Sequence, residues 1–241
     1  MIPKKIHYCW FGGKDLPKLA EQCINSWKKY CPDYEIVRWD ENSFDINSNI
    51  YVKEAYNAKK YAFVTDYVRL YALYTQGGIY MDTDVEVLKN LDQFLKNKAF
   101  SGFETDTTIP TGIMGAESGT KIFKELLDYY KDKHFIQKNG SIDMTTNVII
   151  ITDMMSQKGF TPNNKLQTVA DFTLYPKEYF CPIDYQTKKK NITDNTYTIH
   201  WFAGSWKSGK DKVKYRIYTM AEKILGKENA YKVSNFIKGK K

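Results

Sequence analysis

Cysteine is scarce in this 241-residue chain: there are four, Cys9, Cys23, Cys31 and Cys181. None pairs with another as C-x-x-C, which argues against a zinc knuckle and against a small disulfide-stapled domain. No apolar run is long enough to span a bilayer. The opening "MIPKKIHYCW" carries two lysines but lacks the apolar core and small-residue cleavage site of a secretory leader. Internal repeats and low-complexity linkers are also absent. What remains is the profile of one globular unit in a reducing cytoplasm, 42% hydrophobic and 15% aromatic, with enough apolar surface for a substantial core.

Charge is unevenly placed. The net charge is +8, and residues 207–241 hold 11 Lys and Arg against 3 acids, so the body of the chain balances. From Asp211 to Leu225 the apolar positions Val213, Ile217, Met220, Ala221 and Ile224 share one helical face, with lysines on the other. The tail reads either as a solvated helix face or as a basic patch that sits on anionic lipid. A balanced body with a segregated tail argues against a nucleic-acid-binding protein.

"KIHYCW" is a short β-prone run closed by the turn signal Phe11-Gly12-Gly13. "LPKLAEQCINSWKKY" repeats Leu19, Cys23 and Trp27 at helical spacing, and "YEIVRWD" reads as the next strand. Residues 60–76 form the clearest helix, striped by Val64, Tyr67, Val68, Tyr71 and Tyr74 and ending where Gly77 supplies a C-terminal residue of positive φ. "GIYMD" follows as a strand. This alternation predicts an α/β sheet with crossover helices. Further on, "AFSGFE", "TNVIIIT" and "YTIHWF" read as strands and "KIFKELLDYYKD" as a helix.

Asp82 and Asp84 sit where "GIYM" should end. If the extended conformation persisted, both side chains would leave the same face, roughly 6–7 Å apart, and would repel unless a cation lay between them. Mg²⁺ or Mn²⁺ suits such a pair, because these ions take oxygen ligands and leave coordination positions for water and phosphate. In open α/β sheets, ligands bind beyond the carboxyl ends of the strands, which is where this pair lies.

"KYAFVTDYVRLYALYTQGGIYMDTDV", together with "IPKKIHYCWFGG", resembles the signature of glycosyltransferases with the DxD sugar-binding region. The resemblance is to family 32, which includes bacterial capsule and lipopolysaccharide enzymes and fungal mannosyltransferases. It covers about the first third of the chain. It implies a GT-A fold, Rossmann-like and nucleotide-sugar-binding with a mostly parallel central sheet, and transfer with retention from a nucleotide-diphosphate sugar. It also implies Mn²⁺ or Mg²⁺ as cofactor and a glycan or lipid-linked acceptor in surface polysaccharide biosynthesis.

By the same resemblance, Asp84 ligates the metal directly and Asp82 contacts the donor and assists at the metal. Asp66 and Arg69 match the "DxxR" of the preceding helix and approach the sugar and phosphates, although at i and i+3 they also read as a surface ion pair. Trp10 matches a base-stacking position, with a core Trp as the alternative. "IHWFAGSW" resembles the family's C-terminal segment: His200 is a third metal ligand, and Ser205 and Trp206 close over the diphosphate, with Lys207 beside them. Asn147 and Asp143 are candidates for the reaction or acceptor face. Residues 1–206 would form the catalytic domain and 207–241 its basic helical extension, peripheral on the inner membrane face. Two other functions compete: a metal-dependent phosphohydrolase, whose D-x-D-x-T motif would need threonine where Glu86 stands, and a basic glycan- or nucleic-acid-binding protein.

Overall fold

The computed structural model describes residues 1–185 and 187–204. Residues through Phe202 form one compact unit, and Ala203 begins a second. The tail helix and the boundary expected at 206/207 lie outside the described residues.

The first half follows the expected alternation. Strand β1 (Lys5–Cys9) leads to helix α1 (Lys18–Tyr30), which buries Ala20, Cys23, Ile24 and Trp27, and then to β2 (Glu35–Trp39). Helix α2 (Ile50–Asn57), absent from the sequence reading, starts where the Asn49 side chain accepts the Val52 N–H. Helix α3 (Tyr61–Gln76) stops at Gly77, whose φ of 66° and ψ of −168° suit only glycine. A Cβ there would also lie 2.8 Å from the Ser118 nitrogen. Strand β3 (Gly78–Met81) then runs through the core, buried at every position.

The later elements are β4 (Val85–Val87), β5 (Ala99–Gly102), β6 (Ile113–Ala116), α4 (Lys121–Asp128), α5 (Asn147–Ser156), β7 (Gln167–Val169), β8 (Phe172–Tyr175), α6 (Lys177–Phe180) and β9 (Thr198–His200). Seven strands form one sheet in the order β2-β1-β3-β6-β5-β8-β7. Pairs β2–β1, β1–β3 and β5–β8 are parallel, and β6 and β7 run against their neighbours. This is the α/β arrangement with a mostly parallel central sheet that the sequence implied.

Two expectations need correction. "TNVIIIT" is helix α5 and not a strand: an unbroken apolar run carries no period-2 signal, and its buried positions Asn147, Ile150, Ile151 and Met155 fall at helical spacing. "YTIHWF" does form a strand, but it pairs with β4 in a separate two-stranded sheet.

The main sheet is covered on both faces. Ile79 and Met81 of β3 join Ile6, Tyr8, Trp27 and Phe100 on one side, while Tyr80 points into the cluster formed with α2 and α3 on the other. At the junction of β1 and β3 the fully buried His7 is held neutral. Trp39 Nε1 donates to its Nδ1 (3.1 Å), and its Nε2 faces the Gly77 carbonyl at 2.7 Å.

Burial pushes the His7 pKa from 6.5 down to about 4. Between those values the unfolded chain binds a proton that the folded chain does not, so stability from this site falls as the pH drops through that window. On lowering the pH from about 7.5 to about 5, urea denaturation should show the wild type losing about 2 kcal/mol more than His7→Gln. Equal losses in the two proteins would mean that His7 is not the titrating group.

Candidate active site

The chain leaves β3 at Met81 and turns at once, with the Val85 N–H donating to the Asp82 carbonyl at 3.0 Å. The extended conformation therefore does not persist to residue 84. The two aspartates are brought together by a turn and by the following β4, whose Val85 pairs with His200 of β9. Trp201 N–H donates to the Asp84 carbonyl (2.9 Å), and the Trp201 indole donates to Glu86 (2.9 Å). That contact gives Glu86 a structural task where a phosphohydrolase motif would need threonine.

One oxygen of Asp82 receives both the Tyr80 hydroxyl (2.8 Å) and Arg69 Nη2 (3.2 Å). The same Arg69 nitrogen lies 3.5 Å from Asp66, Nη1 donates to the Thr111 carbonyl (2.7 Å), and the guanidinium sits 4.7 Å from the Tyr80 ring centre. Arg69 and Asp66 are buried, so the surface ion-pair reading of this i, i+3 pair does not hold. Burial raises the Asp66 carboxyl to about 6 even though Arg69 and the Asn147 N–H favour its anion. Burial works against the Arg69 charge, but Asp82, Tyr80 and Asp66 outweigh it and hold its pKa above the ordinary value.

His200 Nε2 lies 3.3 Å from Asp84. Burial alone would depress the imidazole, yet the Asp84 carboxylate and the Cys181 sulfur raise its pKa well above the ordinary range. Its Nδ1 is buried without a hydrogen-bond partner, and its ring stacks on Phe202 with centroids 4.0 Å apart. One ligand atom each from Asp82, Asp84 and His200 lie within 4.8 Å of one another. That span is near the ~4.2 Å between opposite ligands of a small divalent cation, and two carboxylates with an imidazole suit Mn²⁺ better than Mg²⁺. These residues therefore fit a metal, with His200 as nitrogen ligand and the aspartates as oxygen ligands.

The structure thus brings together Asp66, Arg69, Asp82, Asp84 and His200. Trp10 stands half-buried just past the carboxyl end of β1, its indole donating to the Lys14 carbonyl (2.6 Å) and its ring packed against the cluster containing Ile6 and Tyr8. Asn147 is tied to the DxxR helix: its amide donates to the Asp66 carbonyl (2.6 Å) and its oxygen accepts from Tyr130 (2.5 Å). Asp143 pairs with Lys133 at 2.8 Å. Ser205, Trp206 and Lys207 lie outside the described residues.

Tyr80, Gly112 and Glu104 were not singled out from the sequence. Tyr80 looks like any inward strand residue. Gly112 has no local signature, yet its carbonyl accepts the Asp82 N–H (2.8 Å) and a Cβ on it would lie 2.8 Å from His200 Nδ1. Burial raises the Glu104 pKa, and its carboxyl senses both His200 and Asp82.

Several known proteins are similar to parts of this chain. Residues 17–101 match the family model described as the glycosyltransferase sugar-binding region containing the DXD motif. An uncharacterised glycosyltransferase of Acanthamoeba polyphaga mimivirus is 26% identical over 220 residues, covering 86% of this chain and 84% of the viral protein. Inositol phosphoceramide mannosyltransferase 3 of Schizosaccharomyces pombe is 31% identical over 122 residues, which is 49% of this chain but only 34% of the yeast protein. Among solved structures, the PaToxG glycosyltransferase aligns with a TM-score of 0.48 at 20% identity, over 66% of this chain and 69% of that one.

Gly112→Ala tests the metal-binding arrangement without removing a ligand. The added methyl group must push the His200 ring, so Mn²⁺ affinity, read by electron paramagnetic resonance, should fall at least about tenfold, as when outer-shell partners of metal ligands are changed. Unchanged affinity would show that His200 is not held against Gly112 as a ligand.

Proposed function

We propose that this chain, a glycosyltransferase, moves a sugar from a nucleotide-diphosphate donor to a glycan or lipid-linked acceptor with a divalent cation bound by Asp82, Asp84 and His200. The observation that carries this reading is the convergence of the three ligand atoms within 4.8 Å at the carboxyl end of β3. When bound, the cation neutralises the diphosphate and stabilises it as a leaving group. In this reading Asp84 is the direct ligand, and Asp82 both assists at the metal and reaches the donor.

Arg69 holds Asp82 through its Nη2, which also faces Asp66, while its Nη1 donates to the Thr111 carbonyl. It therefore works as a fixed positive charge that orients the carboxylate on the donor side. Trp10 takes the base, and Ser205 and Trp206 are donor-binding residues in this reading. Transfer proceeds with retention, the leaving phosphate taking the proton of the incoming hydroxyl as the new glycosidic bond forms on the same face. In this reading residues 1–206 are the catalytic domain and 207–241 its basic extension.

Several features support the finer parts of this reading. The O, O, N donor set favours Mn²⁺. All four cysteines are free and buried, as in a protein of a reducing cytoplasm. No helix among the described residues is long and apolar enough to cross a membrane. The tail's excess of lysines suits the anionic inner face of a membrane, where lipid-linked precursors of capsule or lipopolysaccharide are extended. Because this chain matches about a third of the yeast relative, the mannosyl donor and ceramide acceptor in that name make mannose-bearing nucleotides and glycolipids the first substrates to try.

A panel of nucleotide sugars, assayed for Mn²⁺-dependent release of nucleoside diphosphate, tests the proposal. One donor should be turned over, with activity lost in a strong chelator and in Asp84→Ala, whose circular dichroism should match the wild type. Full turnover in that variant, or with the chelator present, would defeat the reading.

A further inference from the structure

A cavity of about 310 Å³ opens between the β5–β6 loop and the start of α5. Glu104, Thr105 and Thr108 form one wall, Val148 another, and Tyr185 and Phe202 the aromatic side. The cavity adjoins the candidate metal ligands, because the Phe202 ring that lines it stacks on the His200 ring. Phe202 holds a φ of +51°, a region few non-glycine residues occupy, and a costly backbone conformation at such a place is a common mark of function.

The loop is rigid where it lines the cavity. Glu104 N–H donates to the Thr108 carbonyl (2.9 Å), Thr105 and Thr108 share a hydroxyl hydrogen bond (2.7 Å), and buried Ser101 donates to the Pro110 and Ile113 carbonyls (3.2 and 2.8 Å). The same loop supplies the Thr111 carbonyl to Arg69 and the Gly112 carbonyl to Asp82. Among the described residues, the Glu104 carboxylate makes no hydrogen bond or ion pair of its own. A mostly buried acceptor group facing a cavity is unusual unless a ligand supplies the donor.

Charge limits what that ligand is. Among the described residues no lysine or arginine lines the cavity, and Lys188 only approaches the Phe202 ring at 5.7 Å, so none of them would shield an anionic diphosphate from Glu104. The volume lies at the small end of ligand sites, which run about 300–1,000 Å³, and a neutral sugar ring fits it better than a whole nucleotide sugar. Aromatic faces take the C–H side of a pyranose, and carboxylate and threonine oxygens take its hydroxyls.

We propose that this cavity is the acceptor subsite, that it takes the terminal ring of a neutral glycan, and that Glu104 accepts the hydrogen bond that orients an acceptor hydroxyl. The inference rests on the glycosyltransferase reading and adds the side from which the acceptor enters.

The test is saturation-transfer NMR on the full chain with Mn²⁺ and a nucleoside diphosphate, using methyl glycosides of mannose, galactose and glucose as probes. At least one glycoside should show saturable contact with the wild type. That contact should weaken tenfold or more in Val148→Trp, which fills the cavity, and in Glu104→Gln, with thermal melting as the check on folding. The isosteric Glu104→Gln keeps the test decisive if the tryptophan variant misfolds. Undiminished contact in the folded variants would overturn the proposal, as would no glycoside contact in a wild type that binds the nucleoside diphosphate. If no nucleoside diphosphate binds, the donor reading fails, while glycoside contact that disappears in the variants still supports the cavity.

Discussion

The buried guanidinium of Arg69 is the interaction on which the site depends. It holds Asp66 and Asp82 from a single nitrogen, rests against the Tyr80 ring and is anchored to the Thr111 carbonyl. Three elements, α3, β3 and the β5–β6 loop, thus meet at one charge. A buried cation is costly to desolvate, and it persists because two carboxylates and the Thr65 and Thr111 carbonyls replace the water it loses. Removing it would leave Asp66 buried without its charge partner and Asp82 free to turn away from the turn that carries Asp84.

Around that charge, main-chain hydrogen bonds do the positioning. β3 delivers Asp82 to the edge of the core, a tight turn reverses the chain, and β4 pairs with β9 so that His200 lies opposite Val85. Gly112 fits closely against the His200 ring and accepts the Asp82 N–H, so both sides of the candidate metal site share one backbone contact. The same loop carries Glu104 and Thr108, linking the candidate metal ligands to the neighbouring cavity.

The helix at 60–76, the glycine that ends it and the strand that follows were all legible, because their signals are local: a 3.6-residue stripe, a position that only glycine can occupy, and a short apolar run. Asp82 and Asp84 were legible for a related reason, since like charges side by side ask for a partner. The family resemblance pointed to Asp66, Arg69 and His200, and these do converge. The Asp66–Arg69 pair could not be told from a surface ion pair, because burial depends on what packs over a helix and not on spacing along it. The run at 146–152 was misread because an uninterrupted apolar segment suits a buried strand and a helix equally.

Composition and periodicity by themselves determined the α/β class, the path into β3 and the need for positive charge between the two aspartates. Only the tertiary structure decided that a turn, and not a continued strand, sets their geometry, and that His200 reaches them through a second small sheet. It also placed Tyr80 and Gly112 against Asp82 and His200, with Glu104 close enough to sense both. The physical reason is separation along the chain: residues 66, 82, 104, 112 and 200 meet only after the sheet has formed, and no local rule links a glycine in a loop to a histidine ring 88 positions later.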